Sequence, residues 1–433
     1  MHFKFWTSGL ILATALGATL GLSACGGGSS DNKTTQLRLL NASAAYSSLD
    51  LSVNSANLNT NVAYGSVGSY GSVNTSATAS EVQTNGVGAV VASLTPTLSA
   101  GSNYTLIAYG WSGAVHTSLL QEAEAAADSN KSKLLVLNLA PDAGALDVYV
   151  SAANNSEDLS NFTPVAANIG GGYSSGYNNL NSGSFRVTLT GAGQPKDIRL
   201  DIPSLTLDST GVSSLIVTAS VGGHLVNAMH LKQQGAVTHM PNALARVRLA
   251  ATLSGNPQVS AKLGASSVLP SLVAPQVGQY QGYTAGAQDL SLVVNGSPVS
   301  VSSPTLKAGG DYTLLVWGTP SAPQLSVLSD DNHLPTSSSI AKIRMINGLA
   351  SGAAGLNLTL DYSTLASNVL PGTVSALSSV PASSSSLLTV SSPSSSTPVF
   401  GASGLAVPQG AVFSLFMMGD PASPVGQLVR DDR

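Results

Sequence analysis

Hydrophobic positions in this chain come in short Val- and Leu-rich runs cut by Gly, Ser, Asn and Pro. Two patterns recur. Leu146, Val148 and Val150 alternate with Asp147 and Tyr149, the period of two of a strand. Tyr312 to Trp317 is apolar nearly throughout, which predicts a strand buried on both faces. The Ala-Gly-Gly-Asp that precedes it is turn chemistry, because glycine takes positive φ at little cost. About seven such runs fall in roughly 100 residues, the strand density of a β-sandwich of immunoglobulin-like size. Ser118 to Asp128 (SLLQEAEAAAD) has helix-forming composition and reads as the end of a strand followed by a linker helix or loop.

The runs are organised as one module written four times. Residues 37–53 (LRLLNASAAYSSLDLSV) and 134–150 (LLVLNLAPDAGALDVYV) align without a gap, matching Asn41 with Asn138 and Asp50 with Asp147. Residues 340–360 restore the opening as Arg344-Met345-Ile346-Asn347, and 244–263 give a weaker version, Arg248-Leu249-Ala250-Ala251. The later halves repeat as well. LSAGSNYTLIAYG (98–110), LKAGGDYTLLVWG (306–318) and VPQGAVFSLFMMG (407–419) are one element, with Phe413 in the place of Tyr104 and Tyr312. STGVSSLIVTAS (209–220) is its degenerate form in the second copy. Openings at 41, 138, 251 and 347 are too far apart for solenoid repeats and are spaced like domains. The expected fold is therefore all-β, with four tandem Ig-like β-sandwich domains at 36–131, 132–243, 244–339 and 340–433. No Cys–Trp–Cys pattern supports a true immunoglobulin domain.

The segment VLNLAPDAGALDVYV (136–150), with the later AGxxYTLxxxG, resembles the domain-of-unknown-function 4397 family. The second copy carries the family's Pro-Asp-Ala as Pro141-Asp142-Ala143, the first has Ala44-Ala45-Tyr46 near that point, and the third and fourth lose most of the signature. The resemblance covers nearly everything from about residue 36 onward. It implies an Ig-like sandwich in exported bacterial proteins and lipoproteins, often in tandem. It implies no activity.

The N-terminus fits that setting. His2 and Lys4 give a short basic start, and Leu10 to Leu22 is an uncharged apolar stretch of signal-peptide length. Leu22-Ser23-Ala24-Cys25 then resembles the lipobox of bacterial lipoproteins. The expectation is a lipoprotein signal peptide at 1–24 and, at 25–35, a lipidated Cys25 followed by a flexible Gly/Ser tether. Gly26 rather than aspartate after the cysteine points to the outer membrane, with periplasmic or surface orientation left open. Several acyl chains are needed because one holds a protein only marginally.

Composition narrows the chemistry. Charged residues are 9% and the 17 Lys and Arg are scattered, so nucleic acid is not an expected partner. A single cysteine excludes a disulfide framework and a Cys-based zinc site. No stretch after residue 25 reaches membrane-spanning length. No cofactor and no metal site is expected. Gly172-Tyr173-Ser174-Ser175-Gly176 fits the G-x-S-x-G nucleophile elbow, but that motif needs a strand, a turn and a helix, and nothing after it reads as helix.

His224, His230 and His239 crowd together without ligand spacing and read as isolated surface or loop histidines. Asp330-Asp331, Asp431-Asp432 and Glu122 each begin 12 residues after Gly318, Gly419 and Gly110, with Lys232 breaking the series in the second copy. Two aspartates per copy are too few for calcium, and a solvated loop is the expected setting. The Ser-rich run Ser383–Ser396 reads as a weak hairpin, and the scattered tyrosines as core or sheet-surface residues. The expected function is non-enzymatic: a lipid-anchored envelope protein for adhesion or for binding an unidentified protein or glycan. A scaffold or accessory subunit of an envelope assembly is the second reading, and a serine hydrolase using Ser174 the third.

Overall fold

The computed structural model describes residues 33–432 apart from 77, 155–156, 265–266 and 351–353. The signal peptide expected at 1–24 and the lipidated Cys25 lie outside the described residues. The described chain is all-β, and its sheets form four β-sandwiches in tandem. Helical geometry among the described residues is limited to the 3-10 turns Pro141–Ala143 and Leu159–Asn161.

Every sandwich is closed in the same way. Its opening strand is Thr34–Asn41, Lys131–Leu139, Leu244–Ala251 or Ile340–Asn347. Its closing hairpin joins Asn103–Trp111 to Ala114–Gln121, Gly211–Ala219 to Val226–Lys232, Asp311–Thr319 to Ala322–Asp330, or Val412–Asp420 to Ser423–Arg430. The opening strand pairs in parallel with the first arm of that hairpin, from Gln36 beside Asn103 to Asn41 beside Ala108 in the first sandwich. The other three repeat this register. A parallel pair needs a long crossover, and here the crossover is the whole second sheet. The first and last strands of each unit thus become close neighbours, which matters for the charges described below.

The second face predicted for these strands is a neighbouring sandwich. Leu37 and Leu39 point into the core of the first sandwich, with Leu49, Leu51, Val82 and Leu106. Leu40 points the other way and packs with Ile107, Leu137, Ile216 and Met229, from the first and second sandwiches. Ala250, Leu315, Ile346, Phe416 and Met418 repeat this between the third and fourth. The sandwiches therefore pack back to back in two pairs, and a strand in that position must be apolar on both faces.

The recurrent polar residues of the opening are structural. Asn41, Asn138 and Asn347 are fully buried. Asn138 donates from Nδ2 to the carbonyls of Gly144 and Ile169 and accepts from the Ala140 amide, satisfying backbone groups where the strand turns over. Asp147 accepts from the amides of Asn168 and Gly193 at 2.8 Å each, and Asp50 accepts from Asn61 at 2.6 Å. Asn168 and Asn61 both have φ of 54°, so the carboxylate fixes a left-handed turn in the neighbouring strand.

The second and third sandwiches meet through backbone. Ser220 donates from Oγ to the Gly309 carbonyl at 2.8 Å, and Gly222 donates its amide to the same oxygen at 2.9 Å. Gly309 has φ of 73°, and a Cβ there would lie 2.5 Å from the Ser220 Cβ, so this approach requires glycine. The segment after Gln121 forms no helix and runs as an irregular linker. Ser383–Ser391 is a strand paired on both sides, to Leu356–Leu360 and Phe400–Val407.

Candidate functional site

Two features lie between sandwiches: buried ionic seams and an aromatic cleft. In the seams, Arg38 reaches Glu122 at 3.0 Å and donates from Nε to Thr105 Oγ1 at 2.8 Å. Thr105 and Tyr70 both donate to Glu122, and the Arg38 guanidinium lies 4.3 Å above the Tyr70 ring. Arg38 also donates to the Gly235 carbonyl of the second sandwich at 2.9 Å, and the Gln234 amide donates to Glu122. The third and fourth sandwiches exchange partners. Arg248 bonds Asp431 at 2.6 Å across the seam, and Arg344 bonds Asp330 at 2.8 Å in the reverse direction. Thr313 donates to Asp330 and Ser414 to Asp431, while Tyr280 and Phe416 flank the Arg248 guanidinium at 4.4 and 5.0 Å. Burial works against the Arg248 charge, but the oxygens of Tyr280, Asp431 and Asp330 more than offset it, and the guanidinium stays charged.

Glu122, Asp330 and Asp431, expected in a solvated loop, are thus 2%, 2% and 1% exposed. The correction has a physical reason. Parallel pairing places the end of each unit beside its opening strand, and the seam places two such ends together, so these carboxylates meet arginines. Sequence patterning shows the acids as a series and Arg248 and Arg344 only as part of the repeated opening, and nothing in it joins the two. Arg38, Arg248 and Arg344 recur three residues before positions 41, 251 and 347. The second copy loses both partners together: Leu135 stands in the arginine's place, and Gln233, whose amide bonds the Val212 carbonyl as that of Glu122 bonds Asn103, stands in the acid's. Lys232, which spacing alone puts in the series, sits one position earlier, level with Gln121, Ser329 and Arg430, and pairs with Asp208 on the surface.

The cleft opens where three sandwiches converge. Tyr109, Trp111 and His116 come from the first closing hairpin, Pro141 and Asp142 from the 3-10 turn of the second, and Leu334 and Pro335 from the linker after the third. They enclose a cavity of about 240 Å³. Its walls are aromatic and aliphatic. Tyr109 and His116 lie tilted by 37° with 5.8 Å between centroids, and Trp111 meets His333 edge-on at 4.2 Å. Asp142 accepts from the Leu334 amide at 2.8 Å and pins the linker. His333 lies against acceptors on both ring nitrogens, Asp331 at 2.5 Å and the Ser220 carbonyl at 2.9 Å, an arrangement that calls for imidazolium. Burial opposes that charge, but Asp331 raises its pKa above the usual histidine value. The Trp111 indole nitrogen is buried and has no hydrogen-bond partner among the described residues.

The pattern of the family described as Domain of unknown function (DUF4397) matches residues 35–149 and 245–353, together just over half of the chain. The chain belongs to this domain-of-unknown-function family. No curated protein matches it. Each DUF4397 match takes in one whole sandwich and continues into the opening strand of the next. It therefore contains Arg38 with Glu122 in one region, and Arg248, Asp330 and Arg344 in the other. Pro141 and Asp142, which carry the DUF4397 resemblance, line the cleft.

The other candidates are not gathered there. Ser174 begins the strand Ser174–Asn181 and is exposed, with no histidine or carboxylate hydrogen-bonded to it among the described residues. His224 and His230 are buried, correcting their expected place on a surface or loop. His224 faces the Asp197 carboxylate at 3.1 Å, and Arg199 closes on the same carboxylate at 2.7 Å. His230 occupies a position that is aliphatic in the sister sandwiches, and His239 packs edge-on to Tyr64 at 5.0 Å. Among the described residues no group of three or more His, Cys, Asp or Glu side chains is arranged to hold a metal ion.

Proposed function

We propose that this chain is a non-enzymatic, lipid-anchored protein of the bacterial envelope that binds a protein partner. Cys25 anchors it, and the Tyr109–Trp111–His116 cleft receives one or two side chains of an extended segment. The cleft carries this reading. A concave aromatic wall with a spare indole donor is the chemistry that docks apolar or proline-bearing segments, stacking their side chains and bonding a carbonyl. A cavity of about 240 Å³ suits side chains better than a whole small-molecule ligand. The linker pinned by Asp142 holds one wall in place, which lowers the entropy lost on binding.

Two experiments test it. A photo-crosslinking residue at His116, exposed on the rim, should give discrete protein adducts in intact envelopes. Trp111→Ala should reduce their yield at least about tenfold, as expected for an aromatic anchor. Adducts to glycan alone, or protein adducts indifferent to Trp111, refute the peptide reading. The anchor is tested separately. Cys25→Ser should release the protein from the membrane fraction, and the native amino-terminal peptide should carry acyl mass on Cys25. An unmodified native terminus rejects the anchor.

A further inference from the structure

The second sandwich has lost a plug that its sisters keep. Tyr104, Tyr312 and Phe413 stand opposite Leu37, Val247 and Ile343 and pack into their own cores. The two tyrosines also accept at their hydroxyls from the backbone amides of Ser99 and Lys307, closing that end of the sandwich. In the second sandwich the residue at this position, opposite Leu134, is Ser213. One step along the same face, Leu119, Val327 and Leu428 become His230. Two apolar positions at one end of one sandwich have therefore turned polar together.

The consequence is an open cavity of about 300 Å³ lined by Ser132, Asp208, Thr210, Ser213, His230 and Lys232. His230 is 5% exposed, and its Nε2 is buried without a hydrogen-bond partner among the described residues. A buried ring nitrogen left unpaired is destabilising unless something bonds it. Lys232 and Asp208 are paired at 2.5 Å, and each is about half exposed, so they can turn toward a ligand.

We propose that this cavity binds a single pyranose ring, as a free monosaccharide or as the terminal residue of a glycan. The cavity opens beside the register position that an aromatic ring fills in the other sandwiches, and about 300 Å³ is room for one six-membered ring with its hydroxyls. Its wall mixes acceptors and donors: an imidazole, the hydroxyls of Ser132, Thr210 and Ser213, a carboxylate and an ammonium. That is the set needed for a neutral ring bearing hydroxyls on every side, each of which both donates and accepts. An apolar or strongly charged ligand would leave half of these groups unpaired.

The test is calorimetry on the mature chain with methyl glycosides of glucose, galactose, mannose and N-acetylglucosamine, each alongside the matching trisaccharide. At least one sugar should bind saturably with a Kd below about 10 mM. Ser213→Tyr, which restores the sisters' ring, should weaken it at least about tenfold while leaving the thermal midpoint unchanged or higher. His230→Leu gives a second, independent reading with the same expected loss. Equal affinity for glycoside and trisaccharide identifies a free-sugar site, and tighter trisaccharide binding a glycan end. No saturable binding across the panel, or binding that both variants retain, overturns the proposal. Trp111→Ala should leave this binding intact.

Discussion

Replacing Arg248 with leucine is expected to cost the third–fourth pair of sandwiches about 3–5 kcal/mol, the loss seen when one partner of a buried ion pair is removed. Arg248 is 1% exposed, and so is Asp431, the carboxylate it bonds at 2.6 Å. With the guanidinium gone, Asp330 and Asp431 share Arg344, at 2.8 and 3.5 Å, and the seam holds an unbalanced buried charge. Lysine should not substitute, because an ammonium lacks the fork that reaches Thr313 and Asp431 together and the flat face that lies between Tyr280 and Phe416.

The double variant Arg248→Leu/Asp431→Asn decides the mechanism. It leaves Arg344 with Asp330, a balanced pair, and should be more stable than Arg248→Leu alone by at least about 1 kcal/mol. Trp317 lies against this seam, so urea unfolding followed by its fluorescence, in a chain that starts at Cys25 and therefore lacks Trp6 and that carries Trp111→Phe, reports on this pair of sandwiches. A single variant within about 1 kcal/mol of the parent would mean that the seam is held by its apolar contacts and not by charge. The second sandwich is the natural comparison. It has Leu135 and Gln233 at the two positions and still packs on its neighbour through Leu137, Ile216 and Met229.

The sequence is informative wherever one position recurs across copies. The all-β class, the modular repeat and the doubly buried strands follow from period-two runs and their spacing. Recurrence also marks Asn41, Asn138, Asp50 and Asp147, although only the structure shows that they bond turn backbone. The acids are legible as a series and illegible as to environment. Whether Glu122 meets water or Arg38 depends on a pairing between strands 67 residues apart, from Arg38 to Thr105. The cleft is hidden for the same reason. Tyr109, Pro141 and Leu334 belong to three different sandwiches or their linkers, and no local pattern records that they converge. The loss of the aromatic plug at Ser213 is visible in sequence as a degenerate repeat, but reads there as decay and not as a cavity.

Acidification should weaken the second sandwich, and His224 sets the range. Burial is the main cause of its pKa falling from 6.5 to about 4, and the nearby Arg246 and Arg199 push the same way against the hydrogen bond to Asp197. The imidazole is neutral at pH 7, donates to Asp197, and leaves Arg199 as that carboxylate's charge partner. The folded value lies below the unfolded one, so the contribution is complete above about pH 6.5 and is lost as the pH falls toward 4, about 3 kcal/mol in all. Burial shifts His230 and His239 the same way. His333 acts with the opposite sign. Its folded pKa is raised, so its contribution is present in acid and fades as the pH rises through that value. Urea titrations followed by circular dichroism at about pH 7 and about pH 4.5 should differ by about 2 kcal/mol for the transition of the second sandwich. His224→Gln keeps an N–H for Asp197 and cannot titrate, so it should flatten most of that slope. If the variant and the parent lose stability equally between the two conditions, the buried imidazole is not the source of the acid sensitivity.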